Sequence, residues 1–277
     1  MTKRACVIGW PIEHSRSPAI HGHWLATYGI DGTYTKEAVR PENVRAFLAS
    51  LASCGLSGCN VTAPHKQAAL AAADHKDASA LAIGAANTLW LESGRLCASN
   101  TDAYGFMTNL ARSAPGWDRI DAPVAVLGAG GAARAIVHGL LEAGVTDIRL
   151  FNRTHGRAEE LARSYGPRVK AYPWSEREQR ARDAGLLINT TSLGMVHAEP
   201  LDMDIAALRD DAVVVDIVYV PLETDLLARA RARGLRVVDG LGMLLYQAVP
   251  GFETWFGVKP EVTPELRALI VADIEGR

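Results

Sequence analysis

Residues 124–133 read Val-Ala-Val-Leu-Gly-Ala-Gly-Gly-Ala-Ala, and this stretch decides how the second half of the chain folds. Its apolar start matches a buried strand, and the residues from the glycines through Leu141 match a helix. In that setting Gly128 permits a tight turn, Gly130 lets the backbone approach a pyrophosphate, and Ala133 lets the helix pack closely on the strand. The helix N-terminus adds unpaired N–H donors and the positive end of a dipole. The pattern predicts a dinucleotide-binding turn, and the alternative is a plain glycine turn between a strand and a helix.

The end of the following strand indicates which dinucleotide is bound. An NAD site places Asp or Glu there to bind the ribose 2′-hydroxyl. Here the predicted strand ends in Asn152, Arg153 and Thr154, and the next carboxylate, Glu159, lies inside a predicted helix. Arg153 and Arg157 suit a 2′-phosphate, because a guanidinium binds phosphate oxygens in a fork and stays charged. The sequence therefore favours NADP, and the alternative is that both arginines are ordinary surface residues.

Strand-like runs alternate with helical patterns along the whole chain, which predicts parallel β-α-β units and an α/β fold. Residues 112–123 break this alternation with prolines, a glycine and aspartates, a composition typical of a linker. We therefore predict two domains. The first is an open α/β domain over residues 1–111, and the second is a doubly wound, Rossmann-type dinucleotide-binding domain over residues 112–240.

Composition excludes several classes of protein. The chain has 277 residues, 48% of them apolar and 22% charged, with a net charge of −2. Nucleic-acid binders and polybasic membrane-surface proteins carry a basic excess that is absent here. No apolar run reaches the roughly 18 residues of a membrane span, and no signal peptide is evident. The four cysteines lack CxxC spacing and are interpreted as reduced core thiols of a cytoplasmic protein, and the scattered histidines do not indicate a metal site.

Four polar segments in the first half of the chain lie where predicted strands end. They are residues 9–18, 60–66, 84–88 and 100–102. Because the carboxyl ends of parallel strands form the binding edge of an open sheet, these side chains would converge on a small ligand with several hydroxyls. The alternative is that they cap helices and shape turns, since Ser17, Thr62 and Thr101 all precede probable helices.

Six motifs in chain order resemble those of the shikimate dehydrogenase family, and the match runs nearly from end to end. The motifs are Gly9-x-Pro11-Ile12-x-His14-Ser15-x-Ser17-Pro18, Asn60-Val61-Thr62-x-Pro64-x-Lys66, Gly84-Ala85-x-Asn87-Thr88, Asn100-Thr101-Asp102-x-x-Gly105-Phe106, the glycine turn with Asn152-Arg153-Thr154, and Gly240-Leu241-Gly242-Met243-Leu244-x-x-Gln247-Ala248. The resemblance implies reversible NADPH-dependent reduction of 3-dehydroshikimate to shikimate, in the pathway to chorismate and the aromatic amino acids. It also implies that the final helices, about residues 241–277, rejoin the substrate domain.

The resemblance also implies a role for each matching residue. Lys66 and Asp102 correspond to the catalytic pair, and Ser15 and Ser17 correspond to hydroxyls that bind the substrate carboxylate. The other implied substrate contacts are Thr62, Asn87, Asp102, Tyr219 and Gln247. The implied cofactor contacts are Gly128, Ala129, Gly130, Gly131, Ala132, Asn152, Arg153, Thr154 and Arg157, with Thr191, Ser192, Ile217, Gly240 and Met243 around the nicotinamide and its ribose.

The predicted chemistry needs a hydride for the carbonyl carbon and a proton for its oxygen. NADPH supplies the hydride, Lys66 as an ammonium can supply the proton, and Asp102 can orient a substrate hydroxyl and stabilise the lysine charge. Both residues are expected in first helical turns. Quinate or aminoshikimate dehydrogenation remains an alternative, although the resemblance implies that paired serines favour shikimate. A non-catalytic NADP-sensing module is a further alternative, which would need neither Lys66 nor Asp102. The sequence leaves monomer and homodimer open.

Overall fold

The computed structural model describes residues 2–119 and 121–276 and confirms the predicted α/β fold. The chain folds as two compact units. Unit 1 contains the residues up to Asp102 together with those from Leu245 onward, and unit 2 contains Ala103–Leu244. The assignment of substrate binding to one unit and cofactor binding to the other stays a prediction.

Unit 1 is built on a six-stranded sheet. Its strands are β1 (Lys3–Gly9), β2 (Gly32–Ala38), β3 (Gly58–Val61), β4 (His75–Lys76), β5 (Thr88–Glu92) and β6 (Arg95–Ser99). Its helices are α1 (Ser17–Thr27), α2 (Val44–Ser50), α3 (Lys66–Ala72) and α4 (Ala78–Ile83), and α5 (Asp102–Ser113) begins at Asp102. The strand order is β2-β1-β3-β5-β6-β4, and β5 runs antiparallel to both β3 and β6. The start of β5 therefore lies at the same sheet edge as the ends of β3 and β6.

Both faces of this sheet are covered, as expected for largely parallel strands. On one face, Ile8, Cys59 and Leu89 pack in a core to which α2, α3 and α4 contribute apolar side chains. An aromatic group that includes Trp24 and Tyr34 forms a second buried cluster of this unit. Burial on both faces holds the strand ends, and the polar residues that follow them, at fixed positions.

Unit 2 is a parallel sheet with the strand order typical of dinucleotide-binding folds. Its elements are β7 (Val124–Leu127), α6 (Gly131–Glu142), β8 (Ile148–Asn152), α7 (His155–Tyr165), β9 (Val169–Pro173), α8 (Arg177–Ala181), β10 (Leu186–Asn189), β11 (Val213–Asp216), α9 (Asp225–Ala232) and β12 (Arg236–Val238). The order is β12-β11-β10-β7-β8-β9. The order reverses between β7 and β10, and the crevice at such a switch point is where ligands bind in these sheets.

Two helices complete the described chain, α10 (Leu241–Phe256) and α11 (Pro264–Ile274). The sequence pattern predicts helices over about residues 243–255 and 264–274, and the bounds of α11 agree with the second range. The helix starts one residue after Thr263, whose hydroxyl accepts a hydrogen bond from the backbone N–H of Leu266 at 3.2 Å. Helix α10 begins two residues earlier than predicted, at Leu241, and its residues from Leu245 onward belong to unit 1.

The division at Asp102 lies earlier in the chain than the predicted boundary near residue 111. The physical reason is packing, because Phe106 and Leu110 of α5 are buried in the core of unit 2. Trp117, within the predicted linker, belongs to the same core and lies in a short 3-10 helix. The linker composition therefore marks a connection that is packed inside unit 2.

One expectation about the cysteines is wrong. Cys6, Cys59 and Cys97 are buried and unpaired, but Cys54 is exposed, because it lies in the turn that follows α2. Within residues 2–119 and 121–276, no helix combines the length and apolar character that crossing a bilayer requires. In the same residues, no three His, Cys, Asp or Glu side chains cluster closely enough to hold a metal ion.

Candidate active site

Lys66 and Asp102 lie together at the carboxyl edge of the unit 1 sheet. Strand β3 ends at Val61, and a turn over residues 62–65 leads to Lys66, the first residue of α3. Strand β6 ends at Ser99, and Asp102 is the first residue of α5. The Nζ of Lys66 lies 2.5 Å from Oδ2 of Asp102. The prediction that both residues occupy first helical turns is confirmed.

The carboxylate of Asp102 has a partner at each oxygen. Oδ2 accepts from Lys66, and Oδ1 accepts a hydrogen bond from Nδ2 of Asn87 at 2.8 Å. The backbone N–H of Asp102 donates to Oδ1 of Asn100 at 3.0 Å. The side chain of Asp102 is 12% exposed and that of Lys66 is 31% exposed. The carboxylate is therefore covered by protein, while the ammonium keeps an open side toward which a ligand can bind.

The remaining predicted substrate residues of unit 1 lie on elements that meet this edge. Ser15 and Ser17 follow β1, and the backbone N–H of Ser17 lies 3.4 Å from Oγ of Ser15. Thr62 directly follows β3. Gln247 lies on α10, and its backbone carbonyl accepts a hydrogen bond from the hydroxyl of Thr101 at 2.8 Å. Tyr219, which the resemblance also implies, belongs to unit 2 and follows β11.

The predicted helix caps in this region are wrong at two positions. Helix α1 starts at Ser17 itself, and the preceding Arg16 already has a helical backbone with no side-chain cap. Helix α3 is preceded by His65, so Thr62 is too far from its start to cap it. The backbone enters each helix through residues that the cap pattern did not identify. The hydroxyls of Ser17 and Thr62 are therefore not used as helix caps.

In unit 2, the glycine turn has the shape that a pyrophosphate needs. Gly128 has a φ of +107°, and a Cβ at this position would lie 2.5 Å from Oγ1 of Thr190. At Gly130 a Cβ would meet no atom within 4 Å, so open space lies directly over the backbone. Gly130 precedes α6, which has no side-chain cap. The first N–H groups of that helix therefore point at space that an anion can fill.

The residues after β8 are arranged to bind a phosphate group attached to the ribose of the cofactor. Oδ1 of Asn152 accepts from the N–H of Ala129 at 3.2 Å, and Nδ2 of Asn152 donates to the carbonyl of Thr154 at 2.8 Å. Asn152 thus ties the glycine turn to the adjacent loop. Arg153 and Arg157 are exposed, and neither guanidinium group takes part in an ion pair or hydrogen bond among the described residues. Both guanidinium groups are therefore available for a 2′-phosphate, and the donor set fits NADP.

The residues predicted around the nicotinamide lie at the carboxyl ends of β10, β11 and β12. They are Thr191 and Ser192 after β10, Ile217 after β11, Gly240 after β12, and Met243 in the first turn of α10. The loop after β10 is fixed by Asn189, whose Oδ1 accepts from the N–H of Thr191 at 3.0 Å and whose Nδ2 donates to the carbonyl of Leu193 at 3.1 Å.

Sequence reasoning missed a buried carboxylate that organises this end of the sheet. Asp216 is 0% exposed, and its oxygens accept from Nδ2 of Asn189 at 3.0 Å, from the N–H of Val218 at 3.0 Å and from the hydroxyl of Thr224 at 2.7 Å. Burial raises the pKa of Asp216 to about 6, and these three hydrogen bonds oppose that rise. The available signal was an aspartate that ends an otherwise apolar strand over residues 213–216.

Comparison with known families covers nearly the whole chain. Residues 7–89 match the model of the shikimate dehydrogenase substrate binding domain, residues 109–230 match shikimate / quinate 5-dehydrogenase, and residues 240–269 match the shikimate 5′-dehydrogenase C-terminal domain. The chain belongs to the shikimate dehydrogenase family. The predicted family is thereby confirmed.

Individual relatives agree with this membership. The chain is 58% identical over 273 residues to the shikimate dehydrogenase (NADP(+)) of Mesorhizobium japonicum, covering 99% of this chain and 97% of that protein. The Thermus thermophilus shikimate 5-dehydrogenase, solved in complex with NADP(H) and shikimate, is 36% identical with a TM-score of 0.86, covering 98% of this chain and 99% of that one. A quinate dehydrogenase of Corynebacterium glutamicum, solved in complex with NAD, is 28% identical with a TM-score of 0.89, covering 98% and 99%.

As a member of the shikimate dehydrogenase family, the chain is an NADP-dependent oxidoreductase. The predicted enzyme class, cofactor and Rossmann-type fold are confirmed. The individual site residues stay predictions, and the geometry above supplies the reasons for assigning them roles.

Proposed function

We propose that this chain interconverts 3-dehydroshikimate and shikimate, the family's reaction, with the Lys66–Asp102 pair as its proton-transfer centre. The observation that carries the assignment is the 2.5 Å contact between the partly open lysine and a carboxylate that is otherwise covered. The lysine ammonium has three N–H donors, and Asp102 engages one of them. The others are free to reach a substrate oxygen.

In the direction of reduction, Lys66 donates a hydrogen bond to the carbonyl oxygen of the substrate and then a proton to the developing alkoxide. When bound, NADPH supplies the hydride. Asp102 keeps its negative charge throughout and stabilises the ammonium before transfer. The 31% exposed side chain of Lys66 regains its proton from solvent. In the reverse direction the neutral amine accepts the proton of the substrate hydroxyl.

The substrate carboxylate is assigned to the hydroxyls of Ser15 and Ser17. Ser17 is buried and Ser15 is half-buried, and both follow β1 at the edge where Lys66 lies. A carboxylate that leaves water needs its lone pairs satisfied, and hydroxyl donors do this without an arginine. Thr62, Asn87 and Gln247 are the proposed partners of the ring hydroxyls.

The cofactor is assigned to the residues of unit 2 that fit it. The N–H groups at Gly130 and Gly131 hold the pyrophosphate, with the positive end of the α6 dipole behind them. Arg153 and Arg157 hold the 2′-phosphate. Asn152 connects the glycine turn to the loop of these arginines through its hydrogen bonds with Ala129 and Thr154. We also propose a contact between Tyr219 and the substrate. The remaining proposed contacts with the cofactor are those of Ala129, Ala132, Thr154, Thr191, Ser192, Ile217, Gly240 and Met243.

The deciding experiment compares initial rates with shikimate or quinate, each with NADP or NAD. We expect the highest kcat/KM for shikimate with NADP, because both carboxylate hydroxyls are serines and two arginines follow β8. A preference for quinate with NAD would overturn the substrate and cofactor assignment together. A preference for quinate with NADP would overturn the substrate assignment alone.

We also propose a pathway and a cellular location for this reaction. The reaction is a step of the shikimate pathway, which leads to chorismate and the aromatic amino acids. Four unpaired cysteines support a reducing compartment, the cytoplasm, since disulfides form in oxidising ones. Cell fractionation tests the location. Sedimentation equilibrium distinguishes the monomer from the homodimer, and both fit the sequence.

A further inference from the structure

We propose that Thr88 and Asn60 are positioning residues that orient Asp102 toward Lys66 through a buried chain of hydrogen bonds anchored at Tyr34. This inference rests on the proposed function, because it assigns Asp102 and Lys66 to the reaction. This role does not require Thr88 or Asn60 to contact the substrate. This chain of hydrogen bonds lies entirely within unit 1.

The outer half of the chain runs from Tyr34 on β2 to Thr88 at the start of β5. The hydroxyl of Tyr34 donates to Oδ1 of Asn60 at 2.6 Å. Nδ2 of Asn60 then donates to the carbonyl of Asn87 at 3.1 Å and to Oγ1 of Thr88 at 3.2 Å. Since the tyrosine hydroxyl donates to Oδ1, the amide of Asn60 is held with its NH₂ group toward β5. All polar atoms of the Asn60 side chain are thereby used.

The inner half runs from Thr88 to Asp102. Oγ1 of Thr88 accepts a hydrogen bond from Nδ2 of Asn60 and donates one to Oδ1 of Asn87 at 2.9 Å. The N–H of Thr101 also donates to that oxygen at 2.9 Å. Nδ2 of Asn87 therefore faces Oδ1 of Asp102, at 2.8 Å. A flipped Asn87 amide would set its NH₂ against two donors and its carbonyl against a carboxylate.

The orientation of Asn87 decides which oxygen of Asp102 remains for Lys66. With Oδ1 occupied by Asn87, the carboxylate presents Oδ2 to the lysine at 2.5 Å. Loss of the Thr88 hydroxyl removes one of the donors that hold Asn87 and leaves Nδ2 of Asn60 without one of its acceptors. Thr101 alone then holds Asn87, so the carboxylate of Asp102 is fixed less tightly beside Lys66.

Because these side chains are buried, water cannot easily replace a hydrogen bond that is lost from this network. Asn60 is 5% exposed, Asn87 3% and Thr88 2%. Hydrogen bonds in such surroundings are strong when satisfied and costly when one partner is missing. The anchor is itself held, because the ring of Tyr34 stacks on His21 with centroids 3.9 Å apart and planes 4° from parallel. Burial also raises the pKa of Tyr34 well above its usual value, which keeps its hydroxyl protonated as a donor.

The test compares Thr88→Val, which removes the hydroxyl and keeps the shape, with Thr88→Ser, which keeps the hydroxyl. We expect Thr88→Val to lower kcat roughly tenfold, the effect of about one hydrogen bond on a barrier, with the KM for NADP unchanged. Thr88→Ser should stay within about threefold of the wild-type kcat. Ser50→Ala is the matched control, because it removes another partly buried hydroxyl bond of unit 1, to the carbonyl of Phe47, and should leave kcat unchanged.

A second readout does not need turnover. Limiting acetic anhydride modifies amines, and peptide mass spectrometry reports the rate at Lys66. We expect faster modification of Lys66 in Thr88→Val than in the wild type or in Thr88→Ser, because an amine that loses its carboxylate partner reacts more readily. If the wild type fails to oxidise shikimate with NADP, the proposed function falls, and the labelling rate at Lys66 still decides whether Thr88 positions the pair.

Tyr34→Phe keeps the inference falsifiable if Thr88→Val does not fold. This variant removes only the hydroxyl at the far end of the chain, and it should lower kcat by about threefold. Where both variants fold, the double variant should lose less than the product of the two single effects, since both act on one network. Equal losses in Thr88→Val and Thr88→Ser, or a wild-type kcat together with wild-type labelling of Lys66 in Thr88→Val, would overturn the inference.

Discussion

Oδ2 of Asp102 lies 2.5 Å from Nζ of Lys66, and each residue is the first of its helix. The positive end of the α5 dipole attracts the Asp102 carboxylate, whereas the N-terminus of α3 repels the Lys66 ammonium. The carboxylate offsets this cost by direct contact. An ammonium that is held at one point and otherwise open suits proton transfer to a bound carbonyl.

Replacement of the lysine tests its role as the proton donor. Lys66→Ala should lower kcat by roughly two to four orders of magnitude, the usual contribution of general acid–base catalysis, with a much smaller change in the KM for shikimate. Lys170→Ala is the control, because Lys170 is 56% exposed and pairs with Asp147. Steady-state kinetics decide the matter, and a Lys66→Ala variant that keeps more than about a tenth of the wild-type kcat would contradict the assignment.

The arginines after β8 set the preference between the two cofactors. Replacement of both Arg153 and Arg157 with Gln should weaken NADP binding by a few kcal/mol, on the order of two charge-assisted hydrogen bonds. Binding of NAD should hardly change, because NAD lacks the 2′-phosphate. Isothermal titration with each cofactor measures both effects. The control is Arg163→Gln, because Arg163 is exposed and lies on α7, the helix that also contains Arg157. Equal losses for both cofactors would show that the arginines serve the pyrophosphate or the fold.

Ser15 provides a clean test of carboxylate binding. A hydrogen bond from a hydroxyl to a charged group contributes about 1.5–3 kcal/mol of binding free energy. Ser15→Ala should therefore raise the KM for shikimate roughly tenfold or more. The KM for NADP should not change. Ser17→Ala is the less direct test, because the Ser17 side chain also interacts with the hydroxyl of Tyr34. If Ser15 only shapes the turn, its alanine variant will lower the melting temperature and leave saturation by shikimate unchanged.

His21 makes stability depend on pH. It is 0% exposed, neither ring nitrogen has a hydrogen-bond partner among the described residues, and burial lowers its pKa to about 3. The nearby side chain of Asn60 opposes this shift in the pKa of His21, and burial is the larger effect. Between pH 6.5 and about 3 the unfolded state binds the proton and the folded state does not, so stability falls as the pH falls. The expected loss approaches about 1.4 kcal/mol per pH unit in that window.

Urea unfolding of the wild type and of His21→Phe, at pH 7 and pH 5, measures this contribution. We expect the variant to gain stability relative to the wild type as the pH falls, with exposed His75→Gln as the control that leaves the difference unchanged. Asp216, whose pKa burial raises to about 6, changes stability in the opposite sense, and comparison between variants removes its effect. A free-energy difference between wild type and His21→Phe that does not vary with pH would contradict the prediction.

Much of the fold could be predicted because its signals are local. The glycine turn after β7 and the bounds of α11 each depend on neighbouring residues. Strand β4 was missed because two residues carry no period, and it exists only through pairing with β6. The cap predicted at Ser17 was wrong for the related reason that the backbone before it had already become helical.

For the candidate site, the sequence by itself determined the residue types that could carry the chemistry and the order in which they occur. It placed Lys66 and Asp102 at helix starts, since local motifs set where helices begin. The sequence over residues 87–99 predicts the β5–β6 hairpin, but only the tertiary structure decided that β5 also pairs antiparallel with β3, which brings Asn60, Thr88 and Asp102 into one buried network. Hydrogen-bond direction depends on which donors meet across the sheet, and that is a property of strand pairing that no local stretch of sequence contains.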